Sequence, residues 1–321
     1  MRSLIISLRP VAFLLLILSA ACGSRPQSSV SPDQLTPDVI IELPTPAPTQ
    51  PFLVPTDPPP TATRVYSRDY ENFNADDFDS SRSAVIDNPW LPLSPGAQFT
   101  YEGNSEDNGV MVPHRLVITV TNLTKVIDGV RSLVTWDQDF KAGELVESEL
   151  AFYAQDRAGN IWRMGEHPEE YQNGQYVEAP TWFAGVNYSV AGIEMLANPQ
   201  PASPSYSQGW APSVEFTDRG QVSQIGQRVC VPADCYDDVL TVDETSRAEP
   251  GAHQLKLFSR GVGNIKVDWR GADQTQEILE LTMIDHLDPE ELAQARTSAL
   301  QEERHAYQVS QDVYGRTPPS E

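Results

Sequence analysis

Positive charge is scarce: 22 Lys and Arg stand against 45 Asp and Glu in 321 residues, a formal net charge of -23. A chain this poor in cations has no electrostatic footprint for nucleic acid, and anionic membrane surfaces repel it. Cysteine is rarer still, at three, too few for a disulfide-built scaffold. No apolar stretch reaches the ~20 residues needed to cross a bilayer as a helix; the unbroken run from Val11 to Leu18 is far shorter. Catalytic and cofactor signatures are missing as well. There is no Gly-x-Ser-x-Gly elbow, no Ser-x-x-Lys, no phosphate-cradling glycine loop and no dinucleotide fingerprint. What is present is 40% hydrophobic residues with six Trp, eleven Tyr and ten Phe, enough for a packed core.

Residues 1–21 read as a secretory signal peptide: Arg2 and Arg9, then the apolar run, then Ser19, Ala20 and Ala21. Leu18-Ser19-Ala20-Ala21-Cys22 is similar to a bacterial lipobox, whose Cys is lipidated and becomes the new N-terminus. This implies a palmitate-type lipid on Cys22 and a chain anchored to the cell membrane, tethered outside the cytoplasm without spanning. Residues 22–65 read as a disordered stalk. Eleven of the 27 prolines fall between 23 and 64, in runs such as Pro58-Pro59-Pro60, and such a segment favours extended polyproline II at ~3.1 Å per residue.

From residue 66 the hydrophobic period becomes two. Leu116, Ile118 and Val120 alternate with Val117, Thr119 and Thr121; Val134, Trp136 and Phe140 share a parity; Leu279, Leu281 and Met283 alternate with Glu280 and Thr282. Asp128-Gly129, Ala142-Gly143 and Asn173-Gly174 separate these runs as turns. Connections this short leave no room for crossover helices. The expected fold over 66–287 is mainly β: an antiparallel meander of about ten strands, each with one wet face, curled into a barrel, half-barrel or sandwich. Between 166 and 206 the alternation fades into what reads as an irregular insert covering one end. Residues 288–310 read as one C-terminal helix, with Asp288 as cap, Pro289 at the first position, Glu291 completing a capping box and a narrow seam of Leu292, Ala295, Ala299 and Ala306. Residues 311–321 read as a frayed, disordered tail.

Cys230 and Cys235 flank a four-residue turn, so a hairpin would bring them into bonding range; outside the cytoplasm a disulfide is expected. No accompanying Cys or His pair supports a metal site, and no cofactor is expected. Glu302 and His305 lie three apart on the helix, but a di-iron bundle needs further glutamates from facing helices. Asp69, Glu71, Asp76, Asp77 and Asp79 form an acidic cluster without EF-hand spacing and read as a solvated face. Asp156-Arg157-Ala158-Gly159-Asn160 reads as a structural hairpin turn.

Several segments together are informative: Ile86-Asp87-Asn88-Pro89-Trp90-Leu91-Pro92-Leu93 through Pro95-Gly96 to Tyr101-Glu102-Gly103; Gly143-Glu144-Leu145-Val146-Glu147; Phe152-Tyr153-Ala154-Gln155-Asp156 with Gly159-Asn160-Ile161-Trp162; and Gly261-Val262-Gly263. In this order they resemble a functionally uncharacterised family of secreted, often lipid-anchored bacterial proteins. The resemblance covers about 73–284 and implies an extracytoplasmic β domain. It implies no catalytic residues.

The expected function is ligand binding without catalysis, by a monomeric cell-surface lipoprotein that touches the membrane only through its lipid. Tyr153, Trp162, Glu166, Trp182, Tyr206 and Trp210 are the candidate binding residues, because aromatic platforms beside carboxylates suit a glycan or an amphiphile. One alternative is a structural or partner-binding envelope module without a pocket. Another is a carboxylate-based glycan hydrolase, for which Glu149 and Glu166 are the residues to test.

Overall fold

The computed structural model describes residues 69–321; the signal segment, Cys22 and the proline-rich stalk lie outside the described residues. Fifteen strands follow in chain order: β1 (Ala97–Asp107), β2 (Val110–Ile127), β3 (Val130–Lys141), β4 (Glu144–Gln155), β5 (Ile161–Gln172), β6 (Gln175–Glu178), β7 (Trp182–Phe183), β8 (Val190–Met195), β9 (Tyr206–Ser207), β10 (Gly209–Trp210), β11 (Arg219–Val231), β12 (Asp234–Thr245), β13 (Ala252–Ser259), β14 (Gly263–Gly271) and β15 (Ile278–His286). Helices α1 (Pro289–Val309) and α2 (Gln311–Tyr314) close the chain. Ten strands have eight residues or more, which matches the expected meander.

The strands form one sheet in the order β10-β8-β5-β4-β3-β2-β1-β15-β14-β13-β12-β11-β9, with β6 and β7 also on β5. Pairing is antiparallel throughout. Local chemistry explains this. Asn108-Gly109, Asp128-Gly129, Ala142-Gly143 and Asn173-Gly174 are two-residue loops with φ positive at both positions, the backbone that matches strand twist in a tight hairpin. The sheet does not close on itself. Its two ends are instead laddered onto one short segment: Tyr206 and Ser207 pair with Gly220 and Arg219 of β11, and Gly209 and Trp210 pair with Ala191 and Val190 of β8.

On β3, β4 and β5 both faces of the curved sheet are covered, which corrects the expectation of one wet face there; β14 and β15 keep it, with Ile265, Val267, Leu279 and Leu281 buried and Lys266, Asp268, Glu280 and Thr282 on the wetter side. On β4 the odd residues Glu147, Glu149, Ala151 and Tyr153 are buried in the interior, and the even residues Leu150, Phe152 and Ala154 are buried on the other side. The outer face packs under α1, where Ala299 and Ala306 meet Leu123, Val134, Leu150 and Phe152. Small residues on α1 let the helix lie close to the sheet. Its start is fixed by a capping box, in which Asp288 accepts from the Glu291 amide and Glu291 accepts from the Asp288 amide.

Two further expectations are corrected. The supposed insert begins as regular strand, since β5 runs on to Gln172, turns into β6 and returns as β7 and β8; its Pro and Gly residues had masked the alternation. The tail is docked, not frayed. Val313 and Tyr314 are buried against the outer face, and the last residue, Glu321, exchanges both main-chain hydrogen bonds with Thr124. The disulfide expectation holds: Cys230 and Cys235 are bonded and directly opposed in the β11–β12 ladder.

Candidate functional site

Along the inner face the side chains change character from one end of the strands to the other. On β3 the inward row runs Leu133, Thr135, Asp137, Asp139, Lys141, and on β4 it runs Tyr153, Ala151, Glu149, Glu147. Apolar residues from β1, β14, β13 and β12, among them Phe99, Ile265, Phe258 and Leu240, fill the first end. Charge collects at the other. Eight carboxylates, Asp137, Asp139, Glu147, Glu149, Glu166, Glu194, Glu244 and Glu277, are buried with Arg163, Lys256, Lys141 and His114, Arg163 lying opposite Tyr153 toward the first end. Burial of ions is costly unless each is paired, so the pairing decides what the site can do.

Most of the ions are paired. Arg163 lies 2.9 Å from Glu194 and also contacts Glu166. Lys256 lies 2.7 Å from Glu244. Burial opposes ionisation of Glu194, but the neighbouring cations, Arg163 foremost, outweigh it and hold its pKa below the usual carboxylate range. His114 stands between two carboxylates, with Nε2 2.6 Å from Asp139 and Nδ1 3.3 Å from Glu277. Burial pulls its pKa down, and these neighbours more than reverse that. Asp137 and the facing Glu149 make no salt bridge, and burial together with the Glu149 charge pushes the Asp137 pKa well above the usual carboxylate range.

Two cavities open onto this ionic layer. The first has half-buried Leu91, Pro92 and Val262 at its rim, Phe99, Ile118, Phe258 and Val267 as walls, and Asp137, Tyr153, Glu194 and Lys256 as floor. Its water-reachable volume is about 50 Å³, room for about four waters. The second is lined by Leu116, Asp137, Asp139, Glu147, Glu149, Gln254 and Glu277 and holds about 10 Å³, roughly one water. Asp137 belongs to both.

Two of the segments that carry the family resemblance, 86–93 and 261–263, meet at the first cavity. Gln155 accepts from the amides of Asp87 and Asn88, the Gly261 amide donates to Pro89 O at 2.7 Å, and Arg260 lies 4.0 Å over the fully buried Trp90 ring. Asn88 in turn donates to Gly159 O and Leu196 O. Leu91, Pro92, Leu93, Val262 and Gly263 thus line the cavity from two segments far apart in sequence, and 155–159 hold the first of them in place without lining it.

The six residues singled out from sequence do not gather there. Tyr153 lines the first cavity. Glu166 lies in the interior, accepting from Trp182 Nε1 at 3.1 Å, and Trp182 packs on Phe216 at 4.9 Å. Trp162 is on the outer face, edge-on to Phe73 and Phe78, and donates to Asp156. Tyr206 lies at the sheet ends with a buried hydroxyl against Gly220, and half-buried Trp210 lies beneath Arg247 at 5.1 Å. Glu149 and Glu166 project from the same inner face, but Glu149 lines the second cavity and Glu166 lines neither. Asp137, Glu194 and Lys256 escaped the sequence reading. Their only signal was parity: Asp137 and Asp139 share the parity of Leu133, opposite Val134 and Trp136, and a charged row on a strand reads as solvent-facing until both faces are known to be covered.

The acidic cluster at the domain entrance is partly structural. Glu71 accepts from the Ser207 amide at 2.9 Å, and Asp69 pairs with Arg247. No helix among the described residues is long and apolar enough to cross a membrane.

No family model matches the chain, and no curated protein matches it. Two solved structures are similar at a low level. One is a presumed exported protein with a YmcC-like fold from Bacteroides fragilis, 13% identical, with a TM-score of 0.35 over 61% of this chain and 98% of the other. The other is a presumed lipoprotein from Parabacteroides distasonis, 10% identical, with a TM-score of 0.33 over 62% of this chain and 100% of the other. Likeness at this level carries no weight for activity or site.

Proposed function

We propose that the protein is a bacterial cell-surface lipoprotein, held outside the cytoplasm by a lipid on Cys22, whose β domain binds one end of a small amphiphile without catalysis. The first cavity carries this reading. Its apolar rim and walls suit a hydrocarbon group, and Asp137, Glu194, Lys256 and the Tyr153 ring give a polar floor for a head. A glycan fits less well, because stacking needs accessible aromatic faces and Trp162 and Trp182 are buried in packing. The signal segment, lipobox-like Cys22 and stalk support the placement outside the cytoplasm.

Native mass spectrometry of the full lipidated chain, purified from its host membrane, tests the binding. A copurifying small molecule, reduced in Val262→Trp, is the expected result. A spectrum of bare protein, unaltered by addition of single-chain amphiphiles, would replace this reading with a structural or partner-binding module, which the small volume of the cavity favours.

A further inference from the structure

Two ladders stop short at the end of the sheet marked by the 259–263 turn. β14 and β15 share a ladder of two pairs, Lys266–Glu280 and Val267–Leu279, although continued pairing would set Ile265 opposite Leu281. The β12–β13 ladder ends at Leu240 and Phe258, so residues 234–239 of β12 run on past it, held by β11. This hairpin tip crosses to the open edge of β15, where the Ala233 amide donates to Leu281 O at 3.0 Å. Its bend is built in. The β11–β12 register shifts three times between Val222 and Val229, and Gly226 and Asp238 both have positive φ, at 96° and 54°. Buried Val231 and half-buried Val229, Ala233 and Tyr236 pack on the inner cluster that holds Tyr101 and Leu281, whereas Arg228, Cys230, Cys235 and Asp237 are exposed.

The parting lies behind the first cavity. Gly263, Asn264 and Val267 of β14 and Phe99 and Tyr101 of β1 line that cavity, from the strands on either side of β15. Burial, Asp137 and the Tyr236 of the tip together push up the pKa of the Tyr101 hydroxyl, which places the tip beside the cavity wall. We propose that residues 225–239 form a hinged strap, and that its lifting from Leu281 opens a passage from solvent through the β14–β15 parting into the first cavity. The passage rests on the binding reading above, and it explains how a cavity with room for about four waters admits a larger molecule. The hinge stands independently of any ligand. The Ala233–Leu281 hydrogen bond and a short apolar row hold the tip, and segments with few buried contacts and exposed backbone open at lower free energy than the sheet around them. The Cys230–Cys235 bond keeps the tip in one piece, so it moves about Gly226 and Asp238 without fraying.

Hydrogen exchange and tryptic cleavage of the full chain test the hinge without any ligand. Amides of residues 227–239 should exchange together, at least about tenfold faster than those of Val242, Asp243 and Glu244 in the same hairpin. Val231→Ser removes the buried anchor of the tip and leaves the ladder in place; trypsin should then cut after Arg228 at least about tenfold faster than in wild type, since cleavage follows the open population. Nile red, a neutral apolar dye, tests the passage. It should bind faster to Val231→Ser than to wild type, and adding Val262→Trp, which fills the rim of the cavity, should abolish its binding to both. Strap amides protected as strongly as Val242, Asp243 and Glu244, or cleavage after Arg228 unchanged by Val231→Ser, would overturn the hinge even in a protein that carries a bound amphiphile. Dye binding no faster in Val231→Ser, or persisting with Val262→Trp, would overturn the passage. A strap that opens as expected in a protein that copurifies no small molecule supports the hinge while the amphiphile reading fails.

Discussion

Lys125 of β2 donates from Nζ to Glu303 of α1 at 2.8 Å, across 178 residues of sequence, with both side chains almost wholly buried. The same ammonium donates to Pro318 O at 2.7 Å and lies 4.8 Å from the Tyr314 ring centre. Glu303 also accepts from the amide and hydroxyl of Ser320. One ion pair thus ties the sheet, the helix and the C-terminal tail together, and this is why the tail does not fray.

Breaking that pair should be expensive. Lys125→Met leaves Glu303 buried without its cation, and removing one partner of a buried pair costs ~3–5 kcal/mol. Urea unfolding should show a loss of that order. Arg228→Met, which removes an exposed pair with Asp237, should change stability by less than ~1 kcal/mol. Equal losses in the two variants would show that the Lys125 pair does not anchor the helix.

Glu302 gives a pH dependence. Burial pushes its pKa up to about 8, against the favourable hydrogen bonds from Ser148 Oγ and Trp136 Nε1. A carboxyl whose pKa is higher folded than unfolded keeps its proton in the native state and loses it in the unfolded state. Its contribution is therefore most favourable below the unfolded value of 4.5 and falls as pH rises from there to about 8. Glu302→Gln keeps the acceptor and removes the titration. Relative to wild type, the variant should gain stability from pH 5 to pH 8, by an amount on the order of 1–3 kcal/mol; denaturation curves at those two pH values with a constant difference would contradict the assignment.

The meeting of the sheet ends rests on close approach. A Cβ on Gly192 would lie 2.2 Å from the Gln208 carbonyl carbon and the Gly209 amide nitrogen, both backbone. Gly192→Ala should cost ~1–3 kcal/mol through forced displacement, and hydrogen exchange should speed up selectively at Ser207 to Trp210. Unchanged exchange there would mean that the contact yields without loss.

The disulfide closes a loop of six residues, from Cys230 to Cys235. The chain-entropy relation gives about 2 kcal/mol for a loop of that size. Cys230→Ser with Cys235→Ser should lower the unfolding free energy by about that much and leave far-UV circular dichroism unchanged, because the hairpin is also held by the β11–β12 ladder. A collapse of the fold would show that the bond does more than restrict the unfolded chain.

Local signals carried much of the architecture. Two-residue turns such as Asp128-Gly129 fixed hairpins and antiparallel order, and Asp288, Pro289 and Glu291 marked the helix start to the residue. The candidate site was less legible. Tyr153 was found because an aromatic among carboxylates is conspicuous, but Asp137, Glu194 and Lys256 come from three strands that only the sheet order brings around one cavity. Trp162 and Trp182 misled for the converse reason: an aromatic ring suits packing and ligand stacking equally well, and its neighbours decide.

The sequence by itself determined the β class, the hairpin connectivity, the disulfide partners and the capped helix, because each depends on residues close along the chain or on a period of two. Tertiary structure alone decided which face of each strand is inside, that Lys125 and Glu303 pair, and that Asp137 confronts Glu149 in a cavity. The physical reason is that alternation gives two faces without saying which one is wet; here α1 covers the outer face, and the curl of the sheet turns the charged row inward, where a carboxylate must find a proton, a cationic side chain or a bound ion.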